Sequence, residues 1–214
     1  MHIDHELMKQ SNRSRILNVI YQKKVVTRQE ISKILHIIFP TFVSNVADMV
    51  KEGILEEAGM AISTGGRKPV IIKFVPNARY AVGIELKTNG CSIILTDLSS
   101  QILDKQKLKW DTFVIKDVMK ETAQVTKEML SRNNISPNKV LGVGFAIPGI
   151  IDEETLYLEN APNLGIKGID FNQYQSLFPA KIYMENQANT AAYAEAMLTD
   201  DAHHHPCADS LCNI

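Results

Sequence analysis

The segment Ser63-Thr64-Gly65-Gly66-Arg67-Lys68-Pro69 constrains the fold of this chain more than any other. Its two glycines permit positive φ and therefore a tight turn, and Pro69 fixes the exit into an apolar run. Arg67 and Lys68 place positive charge at the tip of that turn. A basic hairpin tip after a helix-turn-helix pattern is how a winged domain contacts phosphate or the minor groove. The segment therefore makes DNA binding the first hypothesis.

Three helices are predicted ahead of the segment. The first, ending near Tyr21, is indicated by the amphipathic spacing of Leu7, Ile16, Leu17, Val19 and Ile20. The second begins at a capping box, Thr27-Arg28-Gln29-Glu30, in which the Thr27 and Glu30 side chains each bond the other residue's amide. Its apolar face is predicted to carry Ile31, Ile34 and Leu35.

A third helix follows a short turn. Pro40 suits its first turn, where a missing N–H costs nothing, and Gly53 suits the residue just past its end. The predicted packing residues are Val43, Val46, Ala47 and Val50. A strand is predicted from Ile54, and a returning strand over Val70–Phe74 completes the wing.

Candidate DNA-binding residues lie on this third helix and on the wing. Thr41, Ser44 and Asn45 are predicted on the face opposite the apolar residues, and the Asn45 amide could read adenine. Phe42 could stack on a thymine methyl or shield the turn. The wing contributes Ser63, Thr64, Arg67 and Lys68. The alternative is a three-helix protein-interaction domain that does not touch DNA.

Charge is distributed unevenly along the chain. Residues 1–76 hold 11 basic and 7 acidic side chains, whereas residues 77–214 hold 12 and 17. This asymmetry suits a nucleic-acid reader joined to a ligand-binding domain. The composition, 45% hydrophobic with three cysteines, predicts a packed core and no disulfide framework. The absence of a signal-peptide layout and of a long apolar run predicts a soluble, cytoplasmic protein.

The back segment begins with strands. Tyr80–Leu86 and Cys91–Leu98 are predicted to form a hairpin through Asn89-Gly90, and Ile102–Leu108 adds a third strand. A long amphipathic helix is predicted over Val114–Arg132, and a returning buried strand over Val140–Ala146. Antiparallel strands, a helix and a parallel strand are typical of one half of the actin-like ATPase fold.

Four motifs, in the order that the family has them, make this chain resemble the ROK family. The family includes both sugar-responsive transcriptional repressors and sugar kinases. The wing is similar to that of the xylose-repressor-like branch. Gly142–Asp152 resembles the segment G-x-G-x-x-x-P-G-x-V-D, Ala161–Leu164 the sugar-side P-N-L turn, and Glu185–Ala192 the element E-N-D-A-N-A-A. The resemblance implies an α/β chain (α+β overall): a winged helix-turn-helix over residues 1–76 and the first half of an actin-like domain over residues 77–200.

Two departures from the kinase pattern argue against phosphoryl transfer. The kinases have a G-x-D/E-x-G-G-T turn, but Lys87 and Thr88 occupy the positions of its paired glycines, where side chains obstruct phosphate approach. The kinase base aligns with Gln187, whose amide cannot accept the sugar hydroxyl proton. No catalytic residue is therefore predicted, and no cofactor.

The same resemblance places a sugar pocket at Asn163, Asn186 and Gln187, whose amides suit sugar hydroxyls. Other interpretations stay open for each element: Asn186 and Asn189 could cap a helix, and Asn163 could be an ordinary turn residue. Asp152 could orient a loop, and Glu85 could be either a remnant of the kinase carboxylate or a solvent-facing strand end.

Residues 201–214 form an atypical tail. Its histidines, Cys207 and Cys212 look like zinc ligands but do not match the cysteine motif of the family, so no metal site is predicted. The glycine-rich and cysteine-rich second half of the family pattern does not follow. A shortened effector domain with an incomplete sugar cleft is therefore expected.

The leading hypothesis is a sugar-responsive repressor of carbohydrate-utilisation genes. Its expected partners are a palindromic operator DNA and a small sugar, with homo-oligomers in the intact design and no membrane. The first alternative is a sugar kinase with an added regulatory domain. The second is a fragment that only associates with full-length relatives.

Overall fold

The computed structural model describes residues 2–23, 25–60 and 70–198. These residues form two compact units that divide between Ala78 and Arg79, close to the boundary expected from the sequence between residues 76 and 77. No helix in the described part of the chain is both long enough and apolar enough to span a membrane.

The first unit consists of three helices and a small antiparallel sheet. Its strands are ordered β1-β3-β2. The elements are α1 (His2–Lys23), β1 (Val26–Thr27), α2 (Arg28–Leu35), α3 (Phe39–Lys51), β2 (Leu55–Met60) and β3 (Val70–Phe74).

Local signals in the sequence define the helix ends of this unit. The Thr27 hydroxyl accepts from the Glu30 amide and the Glu30 carboxylate accepts from the Thr27 amide, so the predicted capping box is present. Pro40 lies in the first turn of α3, and Gly53 follows its end with φ +71°. His36, with φ 52°, ends α2. The helices therefore begin and end where cap and turn residues permit.

All three helices contribute to one apolar core. Its fully buried side chains include Ile16, Ile20, Ile31, Phe42, Val46, Met49, Leu55 and Ile72. Three apolar predictions were wrong: Leu7, Ile34 and Ala47 are exposed. Leu7 and Ala47 lie nearly opposite the buried faces of α1 and α3, and Ile34 lies at the edge of the buried face of α2.

The second unit contains a five-stranded mixed sheet, ordered β11-β7-β4-β5-β6, and a small antiparallel sheet, ordered β10-β9-β8. Two helices accompany them. The elements are β4 (Tyr80–Lys87), β5 (Gly90–Asp97), β6 (Ile102–Lys109), α4 (Ile115–Arg132), β7 (Val140–Ile147), β8 (Ile150–Asp152), β9 (Tyr157–Ala161), β10 (Ile166–Asp170), β11 (Ile182–Asn186) and α5 (Gln187–Leu198).

Strand pairing confirms the predicted order of antiparallel and parallel connections. β4 pairs antiparallel with β5 and parallel with β7, and β7 pairs parallel with β11. Alternate residues such as Val82, Ile84 and Phe145 are buried in a core that includes the inner face of α4. The other sheet face bears small and charged residues, because successive side chains on a strand point to opposite faces.

The β4–β5 turn differs from the prediction. Its two loop residues are Thr88 and Asn89, and Gly90 is already paired with Lys87. A Cβ on Gly90 would collide with the Leu108 carbonyl oxygen of β6. Gly90 therefore allows close strand approach rather than forming the turn.

Candidate functional site

The beginning of α3 presents hydroxyl groups to solvent in the first unit. Thr41 and Ser44 are exposed, as the sequence predicted. The predicted orientation of Asn45 was wrong: the side chain is only 5% exposed, and its Nδ2 donates to the Thr41 carbonyl oxygen at 2.8 Å. Asn45 lies beside Val46 and Met49 on the buried face of α3. Its side-chain amide therefore bonds the backbone of the helix and does not face outward.

The two aromatic residues of α3 differ in exposure. Phe42 is fully buried, which selects the interpretation in which it shields the turn. Phe39 is 49% exposed and Ile38 is 75% exposed, and neither was singled out from the sequence. The spacing of Phe42, Val46 and Met49 at i, i+4 and i+7 is the signal that could have separated them.

Ion pairs to α1 neutralise the acidic end of α3. Lys9 Nζ lies 2.8 Å from Asp48 Oδ2, and the Arg13 guanidinium forms a two-bond pair with Glu52. The Glu52 hydrogen bond raises the pKa of Arg13, and the Lys9 hydrogen bond lowers the pKa of Asp48. These carboxylates are therefore held by α1 instead of repelling an anionic partner.

The four wing residues predicted to contact DNA, Ser63, Thr64, Arg67 and Lys68, lie outside the described residues. So do the tail residues Cys207 and Cys212.

In the second unit, the carboxyl ends of three parallel strands bring the predicted sugar-side elements together. Glu85 of β4 is in register with Ala146 of β7, which is in register with Glu185 of β11. The two glutamates are thus separated by one strand, about 10 Å between backbones at the usual strand spacing. Ligands commonly bind at this edge of parallel sheets.

Gln187 and Glu85 interact directly, although 102 positions separate them in the sequence. Gln187 Nε2 donates to Glu85 Oε1 at 2.5 Å, and Lys87 Nζ lies 2.8 Å from Glu85 Oε2. Partial desolvation opposes ionisation of Glu85, but the bonds from Lys87 and Gln187 outweigh it and lower its pKa. Glu85 is therefore ionised, with bonds to both carboxylate oxygens, and is not a solvent-facing strand end.

Asn186 acts as a cap in this structure. Its Oδ1 accepts from the Ala188 and Asn189 amides at 2.8 and 3.4 Å, and its Nδ2 donates to the Gly149 carbonyl oxygen at 2.7 Å. The residue thus begins α5 and ties it to the Pro148-Gly149 turn. Of the two interpretations that the sequence left open, capping is the one with visible contacts.

Asn163 lies in the short 3-10 turn Pro162–Leu164, with its side chain exposed. The Thr88 hydroxyl donates to the Asn163 carbonyl oxygen at 3.0 Å, and Trp110 Nε1 donates to the Thr88 carbonyl oxygen at 2.9 Å. Thr88, noticed in the sequence only as a departure from the kinases, thus holds the Asn163 turn in place. Trp110 was missed because nothing local in the sequence relates it to residue 88.

Two more carboxylates flank this edge. Asp152 Oδ1 accepts from the Glu154 and Thr155 amides, both at 3.1 Å, so it orients the turn after β8. Partial desolvation, then the neighbouring Glu185 carboxyl, raises the pKa of Glu153 to about 7. Glu185 Oε1 in turn accepts from Asn189 Nδ2 at 3.0 Å.

A cleft of about 540 Å³ lies over the sheet face that bears the small residues. Gly83, Gly144 and Ala146 form its floor, Tyr183 closes one side, and Lys105 and Lys107 stand on another.

Within the described ranges no group of three or more His, Cys, Asp or Glu side chains is placed to hold a metal ion. Burial raises the pKa of the Cys91 thiol to about 11, so it remains protonated at neutral pH.

Comparison with known proteins covers both units. The ROK family model matches residues 81–208. The chain is 29% identical over 195 residues to the xylose repressor of Caldicellulosiruptor bescii, covering 90% of this chain and 49% of that protein. It is 28% identical over 196 residues to the xylose repressor of Bacillus subtilis strain 168, covering 90% and 50%. The chain therefore spans about half the length of the curated relatives it matches.

A solved structure has the same fold over most of the chain. The crystal structure of a ROK family transcriptional regulator, a homologue of the E. coli MLC protein, superposes with a TM-score of 0.72 and 18% identity. The match covers 89% of this chain and 48% of that one.

Proposed function

The chain belongs to the ROK family, and on that premise we propose that it is a sugar-responsive, DNA-binding transcriptional repressor of carbohydrate-utilisation genes. One observation carries the proposal: similarity to xylose repressors covers 90% of the chain. Neither unit alone contains 90% of the residues of the chain. The likeness therefore includes the three-helix unit as well as the unit that the family model matches.

The first unit would act as a winged helix-turn-helix domain. Support comes from α2 and α3, joined by a tight turn, and from the β2–β3 pair that leads into the Gly-Gly-Arg-Lys segment. The proposed DNA contacts are Thr41 and Ser44 on α3 and Ser63, Thr64, Arg67 and Lys68 on the wing. Asn45 is left out because its amide is committed to α3. A homo-oligomer would place two such helices on a palindromic operator.

The second unit would act as the effector domain, as part of an actin-like fold. Asn163 and Gln187 are the proposed sugar-binding side chains, and Asn186 shapes the pocket as the cap of α5. The names of the relatives make D-xylose the first sugar to test. Sugar releases DNA only if the DNA-competent and DNA-incompetent states bind it with different affinity.

The kinase alternative has less support. The position of the general base is held by the Gln187 amide, which donates to Glu85 and has no useful proton affinity. A positioned base contributes about 10²–10⁴ in rate. Thr88 also places a hydroxyl bonded to Asn163 where a phosphate-binding turn needs bare backbone. We therefore expect no ATP consumption with pentoses or hexoses.

The test uses this chain as it stands. Duplexes selected from a random pool should yield an enriched sequence, with affinity that falls steeply as salt rises. D-xylose or another sugar should then weaken that binding. Failure to enrich any duplex contradicts the DNA-binding proposal, binding that no sugar changes contradicts the effector proposal, and measurable sugar phosphorylation supports the alternative.

A further inference from the structure

The α2–α3 turn presents an apolar surface that the proposed DNA contacts do not use. Ile38 and Phe39 are exposed, whereas the preceding Ile37 packs against the core and Phe42 is fully buried. The Phe39 and Phe42 ring centroids lie 6.2 Å apart, so the buried ring supports one side of the exposed one. We call Ile38 and Phe39 the turn pair.

The backbone that presents the turn pair is held from both sides. Arg15 Nη2 donates to the Leu35 carbonyl oxygen at 3.0 Å, and the Ser32 hydroxyl donates to the Ile37 carbonyl oxygen at 3.0 Å. The Phe42 amide donates to the Ile38 carbonyl oxygen at 3.1 Å, which begins α3. The backbone that carries the two apolar side chains is thus held in place before any partner binds.

The turn pair lies at the beginning of the proposed recognition helix. Residues 34–47 contain no Asp, Glu, Lys or Arg; the Arg15 guanidinium lies next to the turn, where it bonds the Leu35 carbonyl oxygen. Residues at the beginning of a recognition helix contact base edges. Thymine presents a methyl group at the major-groove edge of A·T pairs, which suits an exposed apolar side chain.

We propose that Phe39, assisted by Ile38, contacts thymine methyl groups in the major groove and so determines the sequence that this protein binds. The inference rests on the proposed DNA-binding function and adds the base identity and the residues that read it. Thr41 and Ser44, on another side of α3, supply hydrogen bonds to other groups of the DNA, and the wing supplies charge.

The experiment removes the methyl group from the DNA and the ring from the protein. In the selected duplex each thymine is replaced in turn by deoxyuridine, which lacks only the 5-methyl group. At one or two positions in each half-site, the unmodified protein should bind about 4-fold more weakly, the equivalent of one buried methyl group. Phe39→Ala should lower affinity for the thymine duplex and lose most of the deoxyuridine penalty at those positions.

Matched variants separate readout from folding. Phe39→Leu should keep part of the penalty, and Ile38→Ser provides a second probe at the more exposed position. Val25→Ala truncates another exposed apolar side chain of the same unit and should change neither affinity nor penalty. Helical circular dichroism checks that each variant folds.

Three outcomes overturn the proposal. Uniform affinity across all deoxyuridine duplexes contradicts methyl contact, and an unchanged penalty in Phe39→Ala assigns that contact to another residue. Full DNA affinity in both Phe39→Ala and Ile38→Ser excludes the turn pair from the DNA interface. Enrichment of no duplex would contradict the proposed function itself, so the two failures are distinguishable.

Discussion

Among single residues, several side chains at the carboxyl-end edge of the large sheet link distant segments. Thr88 joins the β4–β5 turn to the Asn163 turn through its hydroxyl, and Trp110 bonds the Thr88 carbonyl oxygen. Gln187 reaches Glu85 in the same way at the start of α5. The neutral links contribute about 1 kcal/mol each and the link to the Glu85 carboxylate about 1.5–3 kcal/mol, so single substitutions should change affinity without unfolding the unit.

Replacing Thr88 by valine should therefore weaken sugar binding about 2- to 10-fold, because the isosteric side chain cannot donate to Asn163. Isothermal titration with the sugar that releases DNA measures the change. Thr88→Ser keeps the hydroxyl and should restore affinity. Thr112→Val, at an exposed threonine, should have no effect; equal affinity in Thr88→Val and the unmodified protein would refute the positioning role.

The carboxyl pair of Glu153 and Glu185 predicts a pH-dependent stability. The pKa of Glu153 is raised from 4.5 to about 7, so the folded unit holds this proton more tightly than the unfolded chain does. This contribution is complete below about pH 4.5 and is lost as pH rises to about 7. Urea unfolding followed by Trp110 fluorescence should show that decline, and Glu153→Gln should flatten it. Glu159→Gln, an exposed glutamate on β9, is the control and should leave the decline intact.

Among the elements of the large sheet, glycines have two effects. One glycine lets β5 and β6 approach closely, and another leaves space in the cleft. Gly90 faces the Leu108 carbonyl oxygen of the neighbouring strand, whereas Gly144 faces the cleft. Both residues have ordinary negative or extended φ, so space alone distinguishes them. The pairing of β5 with β6 therefore depends on a missing side chain.

Gly90→Ala should destabilise the second unit by about 1–3 kcal/mol, the usual cost of overpacking. Gly144→Ala adds the same methyl group where the nearest atom, the Val82 carbonyl oxygen, is 4.0 Å away, and should be nearly neutral. Chemical denaturation of the two variants provides the comparison. Equal stabilities would mean that β6 can shift away from Gly90 without cost.

Across the first unit, internal ion pairs occupy four of the eleven basic side chains of residues 1–76. Lys9, Arg13, Arg28 and Lys73 pair with Asp48, Glu52, Glu57 and Glu56, respectively. These cations stabilise the unit but are not free for phosphates. The proposed electrostatic contact with DNA therefore depends strongly on the wing, whose Arg67 and Lys68 lie outside the described residues.

Arg67→Ala should weaken DNA binding and reduce the slope of log affinity against log salt by about 1, as expected for the loss of one phosphate contact. Fluorescence anisotropy at several salt concentrations measures both quantities. Lys116→Ala removes a cation of α4, in the second unit, and should leave the slope unchanged. An unaltered slope in Arg67→Ala would exclude this residue from the interface.

Local features of this protein could be predicted from its sequence. The Thr27 capping box, the Pro40 and Gly53 ends of α3, and the succession of antiparallel and parallel strands were all predicted, because caps, turns and periodicity act within a few residues. The four ordered motifs likewise identified the family.

Which residues face one another became known from the folded chain. The fold buried Asn45 and Phe42, exposed Phe39, moved the hairpin turn to Thr88-Asn89, and joined Gln187 to Glu85 and Thr88 to Asn163. Such contacts depend on the register of neighbouring strands and on how far a small core extends. A linear pattern does not contain that information, because residues 75 to 102 positions apart meet only after the sheet has formed.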